Sequence, residues 1–530
     1  MVKLKTLIPW FIGVLVLIGM AIRLYHITAN QFLFYDEGMY IGYNRAFLDL
    51  VANNPAHNLG ELAIILGLIL KAALSTPKAL WFLILNLRVF ILGTEAWYFA
   101  RLVSAISGLA TVVLIYFWAL RFLQSKRIAV LSALTLLLLP SHVFYSRLGM
   151  QESFSTVLFL SAIFLYMLNS RLSWSFFVSA FLLACVYLTN YRMIIGPVFI
   201  ALIEGFHALD GKAPFSFKSI KWQKIAIYAA VFYGVVFLVG CLFGGINLYV
   251  NFAWMFHQAQ DAGGKFNPIN FLSYPYYTFS LEGFFFACFF WWNLALIKEK
   301  KYAKLLPFGM VALQMLGFSL AAEKGARYLC VVLPFMAVAA AVAIDDCWER
   351  FKNYRTWIAT AVGLGLCMMI YFSVSLSLAT TDYENAVHFV TDNDPDAVIV
   401  TTQPLVEALY MQDEHRIVPC PNDLQSLIDL YKKGARYLIL DPQAYISWDV
   451  NGRRFSPPLY DFLETALKQV HPLQVFPHLN KILLKRFVLD HNEQILDSIH
   501  FLSNNPNDDY GKIRLYDLGA VLKMCYNNQS

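Results

Sequence analysis

Phe32-Leu33-Phe34-Tyr35-Asp36-Glu37-Gly38-Met39-Tyr40-Ile41-Gly42-Tyr43 sets two adjacent carboxylates among aromatic residues, directly after an apolar segment from Leu7 to Ile22. That segment reads as a bilayer crossing with a slight tilt, so the acid pair falls just beyond a membrane face. Asp36 can open a helix, which brings Met39, Tyr40 and Tyr43 onto its face at helical spacing. Two carboxylates at a membrane edge can supply a general base where an amphiphilic substrate docks. The plainer reading is that Asp36 only caps a short interfacial helix, as acidic residues commonly do. This stretch alone favours the plainer reading; the rest of the chain reverses the preference.

Outward from this stretch the chain is strongly apolar. Mean hydropathy is +0.54 and only 14% of the residues are charged. That is too few charges to solvate the surface of a soluble protein of 530 residues. Apolar runs recur from residue 7 to about residue 378, which defines a polytopic α-helical membrane protein. The net charge of +6 is gathered in a few loops rather than on one face of a soluble domain, so no nucleic-acid partner is implied. The eight cysteines are scattered, with no CxxC and no cysteine–histidine cluster, so neither a disulfide framework nor a zinc site is read. Lys3 and Lys5 before the first apolar segment, with no small-residue cleavage site after it, indicate a retained signal-anchor helix.

About eleven spans are expected, at 7–22, 98–120, 128–145, 153–169, 174–189, 193–208, 225–244, 277–297, 305–321, 328–345 and 357–378. Cations sort to alternate connections. Lys3 and Lys5 precede span one, and Arg121, Lys126 and Arg127 follow span two; Arg171 follows span four. Lys212, Lys218, Lys221 and Lys224 lie between spans six and seven; Lys298, Lys300, Lys301 and Lys304 follow span eight; Arg350, Lys352 and Arg355 follow span ten. That side is cytoplasmic by the positive-inside rule, with the N-terminus on it and the tail opposite. The expected location is a plasma (inner) membrane. Two apolar stretches in the first outside loop, 59–75 and 79–92, read as interfacial or re-entrant helices. If both crossed, the count would be about thirteen and the sides would not change.

The outside loops carry cations that topology disfavours. Arg147, Arg192, Lys265, Lys324 and Arg327 all lie on the same face as the acid pair. Each one alone can be explained by snorkelling or by an ion pair such as Glu323 with Arg327. Five in loops flanking one acid pair point to a shared anionic ligand such as a phosphate. The tail from 380 to 530 changes character: turn residues appear at Asp394-Pro395, Pro419-Cys420-Pro421 and Asp441-Pro442. Residues 397–402 and 436–440 read as buried strands, and 383–391, 404–411 and 422–433 as helices. The expectation is a transmembrane domain over 1–379 and a small extracytoplasmic α/β domain over 380–530, with a partly parallel sheet. The tail has no glycine-rich phosphate loop and no nucleophile elbow, so it is assigned no chemistry; a lid, a docking surface or a platform is its default role.

Five pieces of this pattern resemble the GT-C superfamily of polyprenyl-phosphate-sugar-dependent glycosyltransferases, in the branch of the protein O-mannosyltransferases and lipid A aminoarabinose transferases. Tyr35-Asp36-Glu37 resembles the family's Asp-Glu motif, and Ala100–Gly108 its entry into the second helix. Ser146-Arg147-Leu148 with Glu152 resembles its second acidic loop, Pro275-Tyr276-Tyr277 the end of its long fourth loop, and Arg327-Tyr328-Leu329 with Pro334 its late Arg-Tyr motif. The likeness covers about residues 1–380. The chain differs where the family often has Leu-Thr-Lys-Gly, here Leu188-Thr189-Asn190-Tyr191-Arg192, and where it has His-Pro-Pro, here Thr76-Pro77-Lys78. It also has Glu152 where aspartate is common.

The resemblance implies a donor sugar linked through phosphate to a long isoprenoid, and a hydroxyl acceptor on protein, lipid or glycan. Asp36 is then the base poised in line with the anomeric carbon; one carboxylate acting directly gives inversion. The leaving lipid phosphate needs positive electrostatics more than an acid, and Lys324 and Arg327 lead as its ligands, with Arg147 and Arg192 behind them. Glu152 can orient the acceptor, bind a cation or hold an arginine, and Glu37 can position Asp36 or pair with a cation. Tyr35, Tyr40, Tyr276, Tyr277 and Tyr328 are the aromatic substrate-contact candidates. No metal is obligatory, because neither acid site has histidine or cysteine companions; a divalent cation is an option that nothing in the pattern calls for. A transporter or flippase of a lipid-linked saccharide is the competing class, but it calls for midplane polar residues or broken repeats, whereas these spans are largely apolar. A membrane scaffold for the tail leaves the acid pair unexplained.

Overall fold

The computed structural model of the protein describes residues 13–14, 16–25, 27, 35–42, 45–54, 57–74, 76, 78–90, 98–168, 173–210, 217–243, 271–320, 325–378, 381–411, 413–421, 423–440, 463, 466–467, 469–477 and 512–527. The chain divides into two compact units. One takes Met1–Ile27 with Asn44–Ser377, and the other takes Thr28–Tyr43 with Leu378–Ser530. The segment holding the acid pair therefore groups with the tail, where the sequence places it with the membrane domain.

In the first unit, five helices among the described residues are long and apolar enough to cross a membrane: Phe99–Phe122, Tyr191–Leu209, Trp222–Leu242, Ala326–Arg350 and Lys352–Ser377. This is fewer than the sequence expectation; the expected span 7–22 lies only partly within the described residues, and four of the others differ for local reasons. Residues 128–145 break at Leu139, held extended (φ −60°, ψ 116°) before Pro140. Proline lacks the N–H of the preceding turn and pushes its predecessor out of the α region. Residues 277–297 break at Gly283, whose φ of +98° a residue with a Cβ rarely adopts. Glu152–Leu168 and Trp174–Thr189 are unbroken and apolar but only 17 and 16 residues long, about 24–26 Å against the ~30 Å of a hydrocarbon core.

Ala326–Arg350 is the most enclosed of these five helices. Ala337, Ala339, Ala340, Ala341 and Ala343 are fully buried on it, and small side chains let neighbouring backbones approach. Lys126–Leu138, Phe284–Leu296 and Tyr302–Ser319 pack around it. Trp222–Leu242 and Lys352–Ser377 instead expose large apolar residues, including Phe237, Leu238, Trp357 and Tyr371, as lipid-facing helices do. Leu59–Leu74 is likewise open, burying only Ile69 and Ala73, while Ala79–Leu87 buries Trp81, Phe82 and Leu85.

Cations from several connections meet at one end of this bundle. Arg127 pairs with Asp345 at 3.1 Å and Glu349 at 2.8 Å. Lys304 reaches Asp345 at 3.7 Å, Arg350 reaches Asp346 at 3.1 Å and also Glu299, and Arg355 reaches Glu349 at 3.6 Å. Lys224, read from sequence as a loop cation, is instead buried inside Trp222–Phe243 against Glu204 at 2.9 Å.

The second unit holds a five-stranded sheet in the order β2-β1-β3-β5-β4. The strands are β1 (Val398–Thr401), β2 (Ile417–Pro419), β3 (Ala435–Leu440), β4 (Gln474–Phe476) and β5 (Ile513–Asp517). β1 pairs in parallel with β2 and β3; β5 is antiparallel to β3 and to β4. Both parallel links pass through helical connections, as parallel neighbours require. Leu424–Lys432 crosses between β2 and β3; Asp423 caps it, accepting from the Ser426 N–H at 2.8 Å. Tyr383–Asn393 buries Tyr383, Ala386, Val387 and Val390 at helical spacing. β1 and β3 fall on the two strands expected from sequence. The other three are short or carry charges, and no apolar run announces them.

Candidate functional site

The beginning of the Ala326–Arg350 helix, opposite its ion-paired end, gathers residues that are far apart in sequence. Its first turns, Ala326–Val332, are 3-10 and run into Leu333 and Pro334. Tyr328 lies in this segment, its carbonyl accepting from Gln314 Nε2 at 2.9 Å and its ring 5.0 Å from that of Phe318. Arg192 comes from another 3-10 segment, Tyr191–Ile195, which Asn190 caps by accepting the Arg192 N–H at 3.3 Å. The Arg192 guanidinium carbon stands 4.3 Å from the Tyr328 ring centroid, and its Nη2 donates to the Tyr328 hydroxyl at 3.3 Å. That of Arg327 stands 5.7 Å from the same centroid. Three of the sequence candidates thus form one group: a tyrosine flanked by two guanidinium ions, both within cation–π range.

Two acids lie near this group. Glu152 is fully buried and opens the Glu152–Leu168 helix, where negative charge suits the N-terminal dipole. Gln151 Nε2 donates to Glu152 Oε1 at 3.3 Å, and the helix packs along Ala326–Val332. Glu282, buried at the break before Gly283, accepts from the Ser141 N–H at 3.3 Å. Glu152, Glu282 and Arg327 all act electrostatically on Cys330. The sequence reading passed over Glu282. A lone acid inside an apolar run was the available signal, since charge is costly there unless it is used.

Arg147, another phosphate candidate from the sequence, meets main-chain carbonyls. Its Nη1 donates to the carbonyls of Ile22 at 2.7 Å and Arg23 at 3.1 Å, and its Nη2 to those of Tyr25 at 2.7 Å and Ser377 at 3.1 Å. Both terminal nitrogens are thereby committed to main chain, tying the end of the first helix to the end of the last. Burial, with Arg101 second, pulls the Arg147 guanidinium down to about 10, so it stays charged at neutral pH. Arg101 donates to the Ile27 carbonyl at 2.8 Å. Fully buried Arg23 donates to the Leu137 carbonyl and meets His142 Nδ1 at 2.9 Å. Because an arginine only donates, His142 Nδ1 accepts, and its proton sits on Nε2. Gly108, in the Ala100–Gly108 stretch, makes this possible. A Cβ there would lie 2.6 Å from Ser146 Cβ and 3.3 Å from Arg23 Nε.

The acid pair opens the short helix Tyr35–Gly42 of the second unit, which packs on Pro404–Glu407. Glu37 is 0% exposed and Tyr40 is 1% exposed, so neither offers an open face to a substrate. Tyr277 is buried and packs against Tyr274, while Tyr276 is 49% exposed. The side chains of Tyr35 and Asp36, and all of Lys265, Glu323 and Lys324, lie outside the described residues. Among the described residues no three histidine, cysteine or acidic side chains are grouped to hold a metal ion.

No protein-family model matches the sequence, and no curated protein matches it by sequence. Solved structures do match the fold. The apo structure of ArnT from Cupriavidus metallidurans superposes with a TM-score of 0.54 at 13% identity, covering 84% of this chain and 94% of that one. The apo oligosaccharyltransferase of Archaeoglobus fulgidus gives a TM-score of 0.52 at 13% identity, over 82% of this chain and 70% of that one. The archaeal oligosaccharyltransferase AglB from Archaeoglobus fulgidus, in complex with an inhibitory peptide and a dolichol-phosphate, gives 0.50 at 12% identity, over 82% and 69%. At 12–13% identity the likeness shows the fold alone, and the fold of this chain is the GT-C fold.

Proposed function

We propose that the protein moves a monosaccharide from a polyprenyl-phosphate donor to a hydroxyl acceptor, with inversion, on the outer face of a plasma (inner) membrane. The observation that carries this reading is the pair Arg192 and Arg327 flanking Tyr328. Two guanidinium ions drawn from separate segments onto one ring form a cationic seat suited to a phosphate diester. The GT-C fold gives that seat a context, and one neighbour carries a bound dolichol-phosphate.

In this mechanism the Asp36 carboxylate takes the proton of the acceptor hydroxyl. The acceptor oxygen attacks the anomeric carbon from the face opposite the phosphate. The bond from that carbon to the phosphate oxygen breaks, its electron pair staying on the lipid phosphate. The departing phosphate gains charge, which Arg192 and Arg327 offset, assisted by Lys324. Arg147, committed to main-chain carbonyls, serves the scaffold instead.

The test is turnover of a labelled polyprenyl-phosphate sugar by purified protein in liposomes. Free polyprenyl phosphate and a glycosylated acceptor are expected, and Asp36→Asn should lose on the order of 10²–10⁴-fold in rate with donor binding retained. A donor that changes leaflet without being consumed would assign the protein to the transporters.

A further inference from the structure

We propose that Pro404–Glu407 of the C-terminal unit is the seat of the Asp36 helix, and that Glu407 is a positioning residue for the base; this rests on the reading of Asp36 given above. The helix Tyr35–Gly42 has eight residues, two of them glycine. Such a helix does not hold in water by itself, because nucleation is unfavourable and glycine weakens it further. Its order must come from the surface it packs on.

That surface is Pro404–Glu407, in the same compact unit. Glu37 and Tyr40, three apart and so on one side of the helix, are both buried. On the seat, Val406 and Glu407 are buried as well, Glu407 completely. Once positions 37 and 40 are fixed, the rotation of the helix about its axis is fixed, and position 36 has no freedom of its own. Buried acids sharpen the constraint, since a carboxylate placed on apolar neighbours is costly.

The seat is itself tied to the middle of the sheet. Pro404 follows β1 after two residues, and β1 lies between β2 and β3. The fully buried Thr401 accepts the Gln403 N–H at 3.1 Å, and the Thr402 N–H donates to the Ile439 carbonyl of β3 at 3.3 Å. The N–H groups of Val406 and Glu407 both donate to the Gln403 carbonyl at 3.2 Å. Sheet, seat and helix form one rigid series ending at residue 36, the kind of support a reacting group needs to stay within about half an ångström of its place. A domain without catalytic motifs thereby acquires a use: it aligns the base and does no chemistry.

The experiment uses the full-length protein and the variants Glu407→Ala, Glu407→Gln and Val406→Ala. It follows amide hydrogen exchange at 35–42 and at β1 and β3, together with the donor dependence of turnover. In Glu407→Ala, protection of 35–42 should fall while β1 and β3 keep theirs. kcat should drop about 10- to 100-fold with the half-saturating donor concentration nearly unchanged, because misplacement of a base costs rate rather than donor affinity. Glu407→Gln, which keeps the size and polarity and removes only the charge, should recover part of both. Undiminished protection of 35–42 in Glu407→Ala and Val406→Ala overturns the proposal. So does lost protection with retained kcat, and Asp36→Asn then says which statement failed. If Asp36→Asn is inactive, the base stands and Glu407 does not position it; if it is active, the base itself is wrong and the positioning role falls with it.

Discussion

Tyr328 offers its ring and its hydroxyl, and these can be separated. Arg192 both lies over the ring and donates to the hydroxyl, whereas Arg327 approaches at 5.7 Å and is only partly buried. Arg327→Ala should therefore leave a folded protein that needs more donor. A charge-assisted hydrogen bond contributes ~1.5–3 kcal/mol, equivalent to roughly a ten- to hundred-fold rise in the half-saturating donor concentration. Tyr328→Phe keeps the ring beside the arginines and deletes the hydroxyl, so its donor dependence should shift far less than that of Arg327→Ala. Donor titrations on the purified variants decide it. Equal donor dependence for wild type and Arg327→Ala would remove the arginine from the phosphate site.

At the scale of elements, the buried pair of Glu204 and Lys224 joins two lipid-embedded helices. Lys224 Nζ lies 2.9 Å from Glu204 Oε1 and 4.1 Å from the centroid of the Tyr166 ring. The Tyr166 hydroxyl donates to the same Glu204 oxygen at 2.6 Å. Tyr228 and Ser179 hydrogen-bond beside it at 2.8 Å, so four helices meet on polar contacts. Removing one charge leaves the other buried without compensation, at ~3–5 kcal/mol, whereas replacing both with apolar residues of similar volume can be close to neutral. Lys224→Met and Glu204→Leu should each lower the thermal midpoint of the detergent-solubilised protein markedly, and the double variant should recover most of the loss. Additive losses in the double variant would mean that the two charges are not coupled.

At the scale of the whole molecule, the chain passes between its two units at Ile27/Thr28, Tyr43/Asn44 and Ser377/Leu378, so the C-terminal unit is built from two separate pieces of sequence. The charge pattern predicts that this unit is outside and the ion-paired end of the bundle inside. In a background without reactive cysteines, Asp392→Cys should react with a membrane-impermeant thiol reagent in outer-permeabilised cells, and Lys126→Cys only after the inner membrane is opened. Cys420 should stay silent meanwhile, since burial pushes its thiol up to about 12. The reverse labelling order would invert the topology and move the proposed site to the cytoplasm. The sequence by itself determined the class of protein, the apolar helices, the two strands β1 and β3, and the arginines and acids worth suspecting, because hydropathy, periodicity and charge placement are local properties. It could not show that Pro140 and Gly283 break two expected spans. Nor could it show that Arg147 meets carbonyls from both ends of the first unit, that Glu282 is buried against the Ser141 N–H, or that Tyr35–Gly42 groups with a unit more than 300 positions away. Those outcomes depend on which buried polar group finds which partner, and that is settled only when distant segments pack together.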